Sequence, residues 1–379
     1  MSTLLDDRAI VERVLGHIEA RTTDLSDGLW REPVENYRSV ERFSAELELL
    51  RRSALPFCPS AALREAGSYV ARQATGRPLV VVRDGSGQTR AFLNVCRHRG
   101  TELVSGTGCT RAFVCRYHGW TYGLDGRLRH VPHPHGFPDL ERDRHGLVPV
   151  ACRERHGLVF VSQQPPAAGD ASPDDLPDLL AGEQRLLSAR EAVVPANWKI
   201  YLEGFLEGYH IRATHRETFY PYGFDNLNVV ERFGRNSRVT FPFQRIRKLA
   251  QLPPEERRVD GRLTYVYQLF PNAIVAVLSR HTTLVVLEPI DVGQTRVVSY
   301  ALTNPADGEQ DPVEAAERDT AFVSQTGAAE DLAIACAIQR GIASGANESF
   351  SYGRFEGAIA HFHRSLDAAL RGSAAASSG

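Results

Sequence analysis

The sequence has few cysteines, no long apolar run and no surplus of basic charge. Six cysteines in 379 residues are too few for a scaffold held together by disulfides. No apolar run approaches the roughly 20 residues that a membrane-spanning helix needs. The first residues, MSTLLDDRAIVERV, place acids where a signal peptide has basic and apolar residues, so we expect a cytoplasmic protein. A net charge of −2 gives no basic field for nucleic acid or anionic lipid.

The pattern of the chain changes along its length and predicts two domains. Residues 1–40 read as a helical segment. Residues 41–162 contain short β-like runs separated by glycine-rich turns, which indicates a small antiparallel all-β domain. Residues 163–195 begin with a proline- and aspartate-rich stretch and predict a linker. Over 196–371 a helical segment comes first, a run of strand-like segments follows and further helical segments come last, which predicts an α+β domain; 372–379 read as a disordered tail.

Two cysteines and two histidines fall in one short stretch of the β domain. Cys96-x-His98 is followed, sixteen residues later, by Cys115-x-x-His118. A zinc ion accepts two thiolates and two imidazoles, so structural zinc is one interpretation. Zinc fingers, however, place both cysteines in one half of the motif. Here each half has one cysteine and one histidine, which favours a [2Fe–2S] cluster with two thiolates on one iron and two imidazoles on the other.

The flanking residues strengthen that interpretation. The segments NVCRHRGTELVSGTG and FVCRYHGWTYGLDGRL resemble the cluster-binding domain of Rieske non-haem iron oxygenases of the aromatic-ring-hydroxylating type. The resemblance implies that Cys96 and Cys115 hold one iron of the cluster and that His98 and His118 hold the other. It also implies that the second domain has the helix-grip type of α+β fold, with an antiparallel sheet.

A second histidine pair follows in a segment that we predict to be one helix over 198–215. His210 and His215 lie about 140° apart on an ideal helix, so both can bind one metal only if the helix breaks or bulges. Two histidines and one carboxylate form the facial triad of non-haem Fe(II) oxygenases. Taken alone, a pair of histidines at this spacing is a weak signal, but it gains weight from the upstream Rieske motif.

The same resemblance implies acidic residues at the proposed iron site. AEDLAIACAIQRG (329–341) is similar to the acid-rich helix of the family, which implies Asp331 as the third iron ligand and Glu330 as the alternative. Glu207 stands where family members have a carboxylate that bridges a Rieske histidine of one subunit to an iron-bound histidine of the next. Many members have Asp there, and Glu occurs in relatives that oxidise quaternary ammonium compounds.

The resemblance implies the terminal oxygenase (α) component of a Rieske system. It would use O2 and electrons from an NAD(P)H-dependent reductase, with or without a ferredoxin, to hydroxylate or oxidatively demethylate a small organic substrate. Electrons would cross from His118 or His98 through Glu207 to His210 of a neighbouring chain, which implies a head-to-tail homotrimer. The alternatives are a cis-dihydroxylating dioxygenase, a Rieske electron carrier without oxygenase activity and a zinc-stabilised binding module.

Overall fold

The computed structural model describes residues 4–165, 176–180, 184–304 and 312–377. The chain forms two compact units. The central unit comprises Leu50–Gly182, and the composite unit comprises Met1–Leu49 together with Glu183–Gly379. Parts of the predicted linker (166–175 and 181–183) and the end of the predicted tail (378–379) lie outside the described residues.

Helices and strands are numbered in chain order. The helices are α1 Asp7–Ala20, α2 Val40–Arg52, α3 Trp198–Glu203, α4 Ile211–Thr214, α5 Pro312–Gln325, α6 Gly327–Ile342 and α7 Gly357–Ser377. The strands before the predicted linker are β1 Trp30–Pro33, β2 Leu55–Pro59, β3 Ser68–Ala74, β4 Arg77–Arg83, β5 Thr89–Leu93, β6 Gly106–Cys109, β7 Phe113–Val114, β8 Thr121–Tyr122, β9 Leu128–His130, β10 Pro149–Arg155 and β11 Leu158–Ser162. The later strands are β12 Leu186–Val194, β13 Val229–Phe233, β14 Asn236–Pro242, β15 Leu263–Leu269, β16 Ala273–Val277, β17 His281–Asp291, β18 Gln294–Thr303 and β19 Ser349–Tyr352.

The central unit is built from antiparallel strands. Its larger sheet has the order β2-β11-β10-β5-β4-β3-β6, and a smaller sheet has the order β7-β8-β9. Strand β4 is apolar through Leu79–Val82, and all four side chains are buried. Val80, Phe92 and Phe113 share one core with Trp120 and with the two cysteines of the predicted cluster. The hydrophobic core therefore supports the loops that carry the metal-ligating residue types.

The composite unit is organised around a second antiparallel sheet with the order β12-β18-β17-β16-β15-β14-β13. Six of these strands are sequential neighbours, and the earliest, β12, pairs with β18 at one edge. Helix α7 packs on β13 and β14, where the ring of Phe362 meets Trp198 of α3 edge-on at 5.7 Å. A small β domain and an antiparallel sheet with packed helices confirm the predicted α+β fold.

The N-terminal segment belongs to the composite unit. Helix α1 is capped by Asp6, whose side chain accepts a hydrogen bond from the Ala9 N–H at 2.8 Å. Its buried residues include Ile10 and Val14, which pack in one cluster with Val229 of β13. Strand β1 pairs with β19 near the other end of the chain. Residues 4–40 thus share a core with the second half of the sequence, which local patterns could not indicate.

Three local features differ from the sequence-based expectations. The predicted helix over 198–215 is interrupted, because α3 ends at Glu203 and α4 is a single turn; Gly204 and Gly208, which are poor helix formers, lie in the gap. Strand β12 lies within the stretch predicted as a linker, since it completes a sheet edge. Helix α7 extends to Ser377, into the stretch predicted as a tail. Among the described residues, no helix is long and apolar enough to cross a membrane.

Candidate metal centres

The first candidate centre lies on two loops of the central unit that fold alike. In each loop the cysteine carbonyl accepts a hydrogen bond from the glycine N–H four residues later, Cys96 from Gly100 at 2.9 Å and Cys115 from Gly119 at 2.8 Å. Both glycines have a positive φ, 81° and 73°, which a residue with a side chain rarely adopts. The two loops therefore present each cysteine and the histidine that follows it from similar, tightly closed turns.

The side chains of these loops divide into a buried and an accessible pair. Cys96 and Cys115 are each only 2% exposed. The imidazoles of His98 and His118 lie 4.6 Å apart between ring centroids, and His118 is exposed. The ring of His98 stacks on Trp120 at 5.0 Å. Thiols on the inside and imidazoles on the outside suit an electron-transfer cluster, because electrons can leave through the outer ligands.

The unpaired atoms of this centre fit a metal cluster. The Nδ1 atom of His98 is buried and has no hydrogen-bond partner among the described residues. Burial lowers the pKa of His98, which favours the neutral imidazole with a free lone pair. Burial also raises the pKa of Cys96, whose Sγ lies 3.3 Å from the Tyr122 hydroxyl. A buried thiol and a buried, unpartnered imidazole nitrogen are both satisfied when they bind a metal.

The second candidate centre begins where α3 ends. The chain turns after Glu203, passes through a loop that holds Glu207 and reaches His210, which precedes α4. Helix α4 ends at Thr214, and His215 has left the helical conformation, with φ −102° and ψ 34°. The departure from an ideal helix allows the two imidazoles to converge, and their Nε2 atoms lie 3.1 Å apart.

An aspartate from a distant helix completes a triangle of metal-ligating atoms. The Oδ1 atom of Asp331, in α6, lies 3.5 Å from the Nε2 of His210 and 2.9 Å from the Nε2 of His215. Three ligands that bind one ion at about 2.1 Å with right angles between them would be about 3.0 Å apart. The three observed separations therefore match one face of an octahedral site, which is the arrangement of a facial triad.

Two further carboxylates contact the opposite sides of the imidazoles. Glu207 contacts the Nδ1 of His210, and it also accepts a hydrogen bond from the backbone N–H of that residue at 3.1 Å. The Oε2 atom of Glu330 lies 2.7 Å from the Nδ1 of His215. Glu330, the alternative third ligand in the sequence analysis, thus lies outside the triangle. The structure places Asp331 inside it.

The electrostatics of this centre favour a cation. Burial opposes protonation of His210, yet the neighbouring Glu207 and Asp331 raise its pKa above the usual range. Burial likewise opposes protonation of His215, and Asp331 together with Glu330 raises its pKa. In both cases the carboxylates outweigh the cost of desolvating a positive charge. The same surplus of negative charge would stabilise a divalent metal ion.

The acidic residue that ends α3 has a structural position. Glu203 is 7% exposed and accepts hydrogen bonds from the hydroxyls of Tyr37 and Tyr352, each at 2.7 Å. Its carboxylate also lies 2.9 Å from the Nε2 of His363, in α7. These contacts tie the end of α3 to three other parts of the composite unit, immediately before the loop that carries Glu207. Sequence patterns gave no signal for this network.

The chain matches two family profiles. Residues 53–142 match the Rieske [2Fe-2S] domain, and residues 182–372 match the ring hydroxylating alpha subunit (catalytic domain). The chain belongs to the ring-hydroxylating Rieske oxygenases. Membership of this family confirms the predicted [2Fe–2S] domain over the zinc-stabilised binding module. It also confirms that a catalytic oxygenase domain follows the Rieske domain, against the prediction of a simple electron carrier.

Named relatives of this Rieske oxygenase act on quaternary ammonium compounds. The carnitine monooxygenase oxygenase subunit of Escherichia coli is 33% identical over 215 residues, which cover 54% of this chain and 55% of the relative. The glycine betaine monooxygenase oxygenase subunit of Chromohalobacter salexigens is 40% identical over 157 residues, 40% of this chain and 35% of the relative. The matched region thus spans about half, or less, of the length of these two proteins.

A solved structure has the same fold over nearly the whole chain. It is a quaternary ammonium Rieske monooxygenase described in terms of carnitine oxidation and inter-subunit electron transfer. It superimposes with a TM-score of 0.73 at 21% sequence identity, covering 92% of this chain and 96% of that one. At this identity the likeness establishes the shared fold, which includes both the Rieske and the catalytic domain.

Proposed function

We propose that the protein is the terminal oxygenase of a Rieske system that oxidises a small quaternary ammonium compound. The observation that carries the proposal is the triangle formed by His210, His215 and Asp331, within one chain that also has a Rieske domain. An electron carrier needs only the cluster, whereas oxygen insertion needs a second metal with open positions. A facial triad leaves three positions of an octahedral ion free for O2 and substrate.

The proposed ligands fall into two sets. In the central unit, Cys96 and Cys115 would hold one iron of the [2Fe–2S] cluster, and His98 and His118 would hold the other. In the composite unit, His210, His215 and Asp331 would hold mononuclear Fe(II). When bound, the cluster supplies single electrons and the mononuclear iron supplies O2 activation.

Glu207 is proposed to connect the two centres across a subunit boundary. Its carboxylate contacts the Nδ1 of His210, so it is already attached to one proposed iron ligand. A carboxylate can accept a second hydrogen bond from an exposed imidazole such as His118 of a neighbouring chain. A head-to-tail homotrimer would provide that neighbour, because a heterologous interface that closes forms a ring. The solved relative is described as having inter-subunit electron transfer, which supports this arrangement.

Two features of the site support a cationic substrate. Three carboxylates, those of Glu207, Glu330 and Asp331, contact the two imidazoles of the site, so acidic side chains outnumber basic ones there. Aromatic rings also extend outward from the triad: Phe219 lies 4.8 Å from the His215 ring, Phe322 lies 6.1 Å from Phe219, and both distances join ring centroids. An ammonium group is attracted to aromatic faces and to negative charge. The carnitine and glycine betaine substrates of the relatives are of this kind.

Monooxygenation requires electrons and protons in fixed proportion. One C–H bond of the substrate, O2, two electrons and two protons give one C–OH bond and one water. Hydroxylation of a carbon attached to nitrogen leads to C–N cleavage, because the resulting hydroxyl-bearing carbon collapses to a carbonyl and releases the amine. The two electrons would come from NAD(P)H through a separate reductase, with or without a ferredoxin, and the proposed compartment is the cytoplasm.

Turnover under 18O2 tests the proposal. The full chain, loaded with iron and given a surrogate reductase and NADH, would be incubated with carnitine, glycine betaine or choline. We expect one 18O atom in the released carbonyl fragment, which is reduced to its alcohol at once so that its oxygen does not exchange with water, and no product with Asp331→Ala, as measured by mass spectrometry. A product with two 18O atoms on adjacent carbons would identify the dioxygenase alternative. Reduction of the cluster without any product from this class of substrates would overturn the proposed substrate.

A further inference from the structure

We infer that Glu330 is a positioning residue, which holds the imidazole of His215 in the orientation and tautomer that metal binding requires. This inference rests on the proposed iron site and concerns a residue that would not itself bind the iron.

Consecutive residues of α6 contact opposite sides of one imidazole. Asp331 Oδ1 lies 2.9 Å from the Nε2 of His215, while Glu330 Oε2 lies 2.7 Å from the Nδ1 of the same ring. A neutral imidazole has one N–H and one lone pair. A carboxylate only accepts, so the Nδ1 facing Glu330 must carry the hydrogen. The lone pair is then on Nε2, which is the atom that belongs to the triangle of ligands.

Glu330 is itself held in place. The hydroxyl of Thr218 donates to the same Oε2 atom at 2.7 Å, and the Glu330 backbone N–H donates to the Thr326 carbonyl at 3.0 Å in the first turn of α6. His215 has a hydrogen-bonded backbone of its own, since its N–H donates to the Ile211 carbonyl at 3.1 Å and its carbonyl accepts from the Tyr220 N–H at 3.0 Å. His215 therefore depends on Glu330 for the orientation of its ring alone. Its side chain is 1% exposed, so in the intact protein the Glu330 carboxylate is the acceptor that its Nδ1 meets.

Both histidines of the triangle therefore have the hydrogen on Nδ1, but the carboxylates that accept it come from different parts of the chain. Glu207 supports His210 from three residues away in the sequence, within one loop. Glu330 supports His215 across 115 residues, from a different helix. Removal of a carboxylate that orients a ligating histidine typically weakens metal binding 10- to 100-fold. Glu330 should thus set iron affinity, whereas Asp331 should decide whether iron binds at all.

The test measures Fe(II) affinity rather than turnover. The full-length chain with an intact cluster would be freed of mononuclear iron and titrated with Fe(II) against a coloured competing chelator. We expect Glu330→Ala to raise the Kd about 10- to 100-fold. Glu330→Gln should be milder, about fivefold, because its amide oxygen still accepts from Nδ1 but a neutral hydrogen bond is weaker. Thr218→Val should raise the Kd by a smaller factor.

Two controls separate positioning from ligation and from damage to the fold. Glu317→Gln alters an exposed acid on α5 and should leave the Kd unchanged. Co(II) bound in place of iron reports its coordination through its EPR spectrum, which the oxidised cluster does not obscure because it is EPR-silent. That spectrum should stay as in the wild type in the Glu330 variants and change in Asp331→Ala. We expect Glu330→Gln to bind Fe(II) more tightly than Glu330→Ala. A residue that only stabilises the fold would not give this difference in Fe(II) affinity.

Several outcomes would overturn the inference. A wild-type Kd in Glu330→Ala would show that His215 needs no such support. Loss of binding equal to that of Asp331→Ala, with a changed Co(II) spectrum, would show that Glu330 is a ligand. If Glu330→Ala does not fold, wild-type Fe(II) affinity in both Glu330→Gln and Thr218→Val would likewise overturn the inference. Unchanged iron binding in Asp331→Ala would instead contradict the proposed iron site, and with it the proposed function.

Discussion

The two candidate metal centres are assembled in different ways. The centre in the central unit comes from 23 consecutive residues, Cys96 to His118, held by two loops with the same hydrogen-bond pattern. The centre in the composite unit joins a loop, a one-turn helix and a helix more than 100 residues later. The first is a local structure that needs only its supporting core, whereas the second exists only when the whole unit has folded. Their responses to mutation should therefore differ.

Asp331→Ala should give the largest effect and separate the two centres. Removing the distant carboxylate should abolish mononuclear iron binding and turnover while the red-brown absorbance of the cluster persists. The reciprocal variant, Cys115→Ala, should lose the cluster absorbance and keep mononuclear iron. Metal analysis and visible spectra of both purified proteins measure these changes. Loss of both metals in either variant would show that the two centres do not form independently.

Glu207→Gln should leave both centres intact and slow electron transfer between them. The amide can still contact His210 but no longer carries the charge of the carboxylate. We expect iron content at saturating Fe(II) and the cluster spectrum to stay unchanged, and turnover of a pre-reduced cluster to fall about 10- to 100-fold. Single-turnover kinetics with chemically reduced protein would measure this. Product formation at the wild-type rate would remove Glu207 from the proposed electron path.

Glu46→Ala should destabilise the composite unit without touching either centre. Glu46 is 1% exposed, lies 2.8 Å from the ammonium of Lys199, which is equally buried, and accepts from the Trp198 indole N–H at 3.0 Å. Glu46 also accepts from the Arg42 guanidinium at 3.0 Å. Removing one partner of a buried ion pair costs about 3–5 kcal/mol, because here the Lys199 ammonium stays buried without its carboxylate. Urea denaturation would measure the loss. Glu41→Ala, on the exposed side of α2, should cost far less, and equal losses would contradict the argument.

Glu356→Gln should give the smallest effect, visible only as a function of pH. Burial, with the negative charges of Glu207 and Glu203, raises the pKa of Glu356 to about 7, although the Gly353 N–H opposes the shift. A carboxyl whose folded pKa is raised favours the folded state at low pH and loses that contribution as pH rises from about 4.5 through 7.

Both proteins would be measured without iron, and the glutamine of the variant mimics the protonated acid of Glu356. Wild type and variant should be similarly stable at pH 5. At pH 8 the wild type should be less stable by about 1–2 kcal/mol, since the side chain is partly solvated. Denaturation at the two pH values checks the difference, and a constant gap would show that Glu356 titrates in its ordinary range.

The comparison of the centres also explains what could be predicted from the sequence. Cys96, His98, Cys115 and His118 are close in sequence and have a distinctive spacing, so local pattern was sufficient to nominate them together. His210 and His215 were nominated as well, but the helix predicted around them was not continuous. Its interruption depends on glycines and on the contacts of Glu203, none of which has a periodic signature.

Local sequence patterns could not assign separate roles to Glu330 and Asp331. Glu330 and Asp331 are adjacent acids at the start of the same helix, and nothing in their sequence distinguishes a ligand from a supporting residue. The fold separates them, because Asp331 faces the Nε2 atoms of both histidines while Glu330 faces the Nδ1 of His215. The contribution of residues 1–40 to the composite core was equally invisible, since it depends on pairing between β1 and β19.

Local sequence patterns were enough to predict the family, the order of the two domains and the residue types of both candidate metal centres. These depend on composition, on spacing and on motifs that neighbouring residues complete. The three-dimensional fold was needed to tell which carboxylate faces which imidazole nitrogen and where the helix before His210 ends. Those outcomes follow from contacts between segments far apart in the chain, where a difference of a few ångströms separates a candidate metal ligand from the group proposed to orient it.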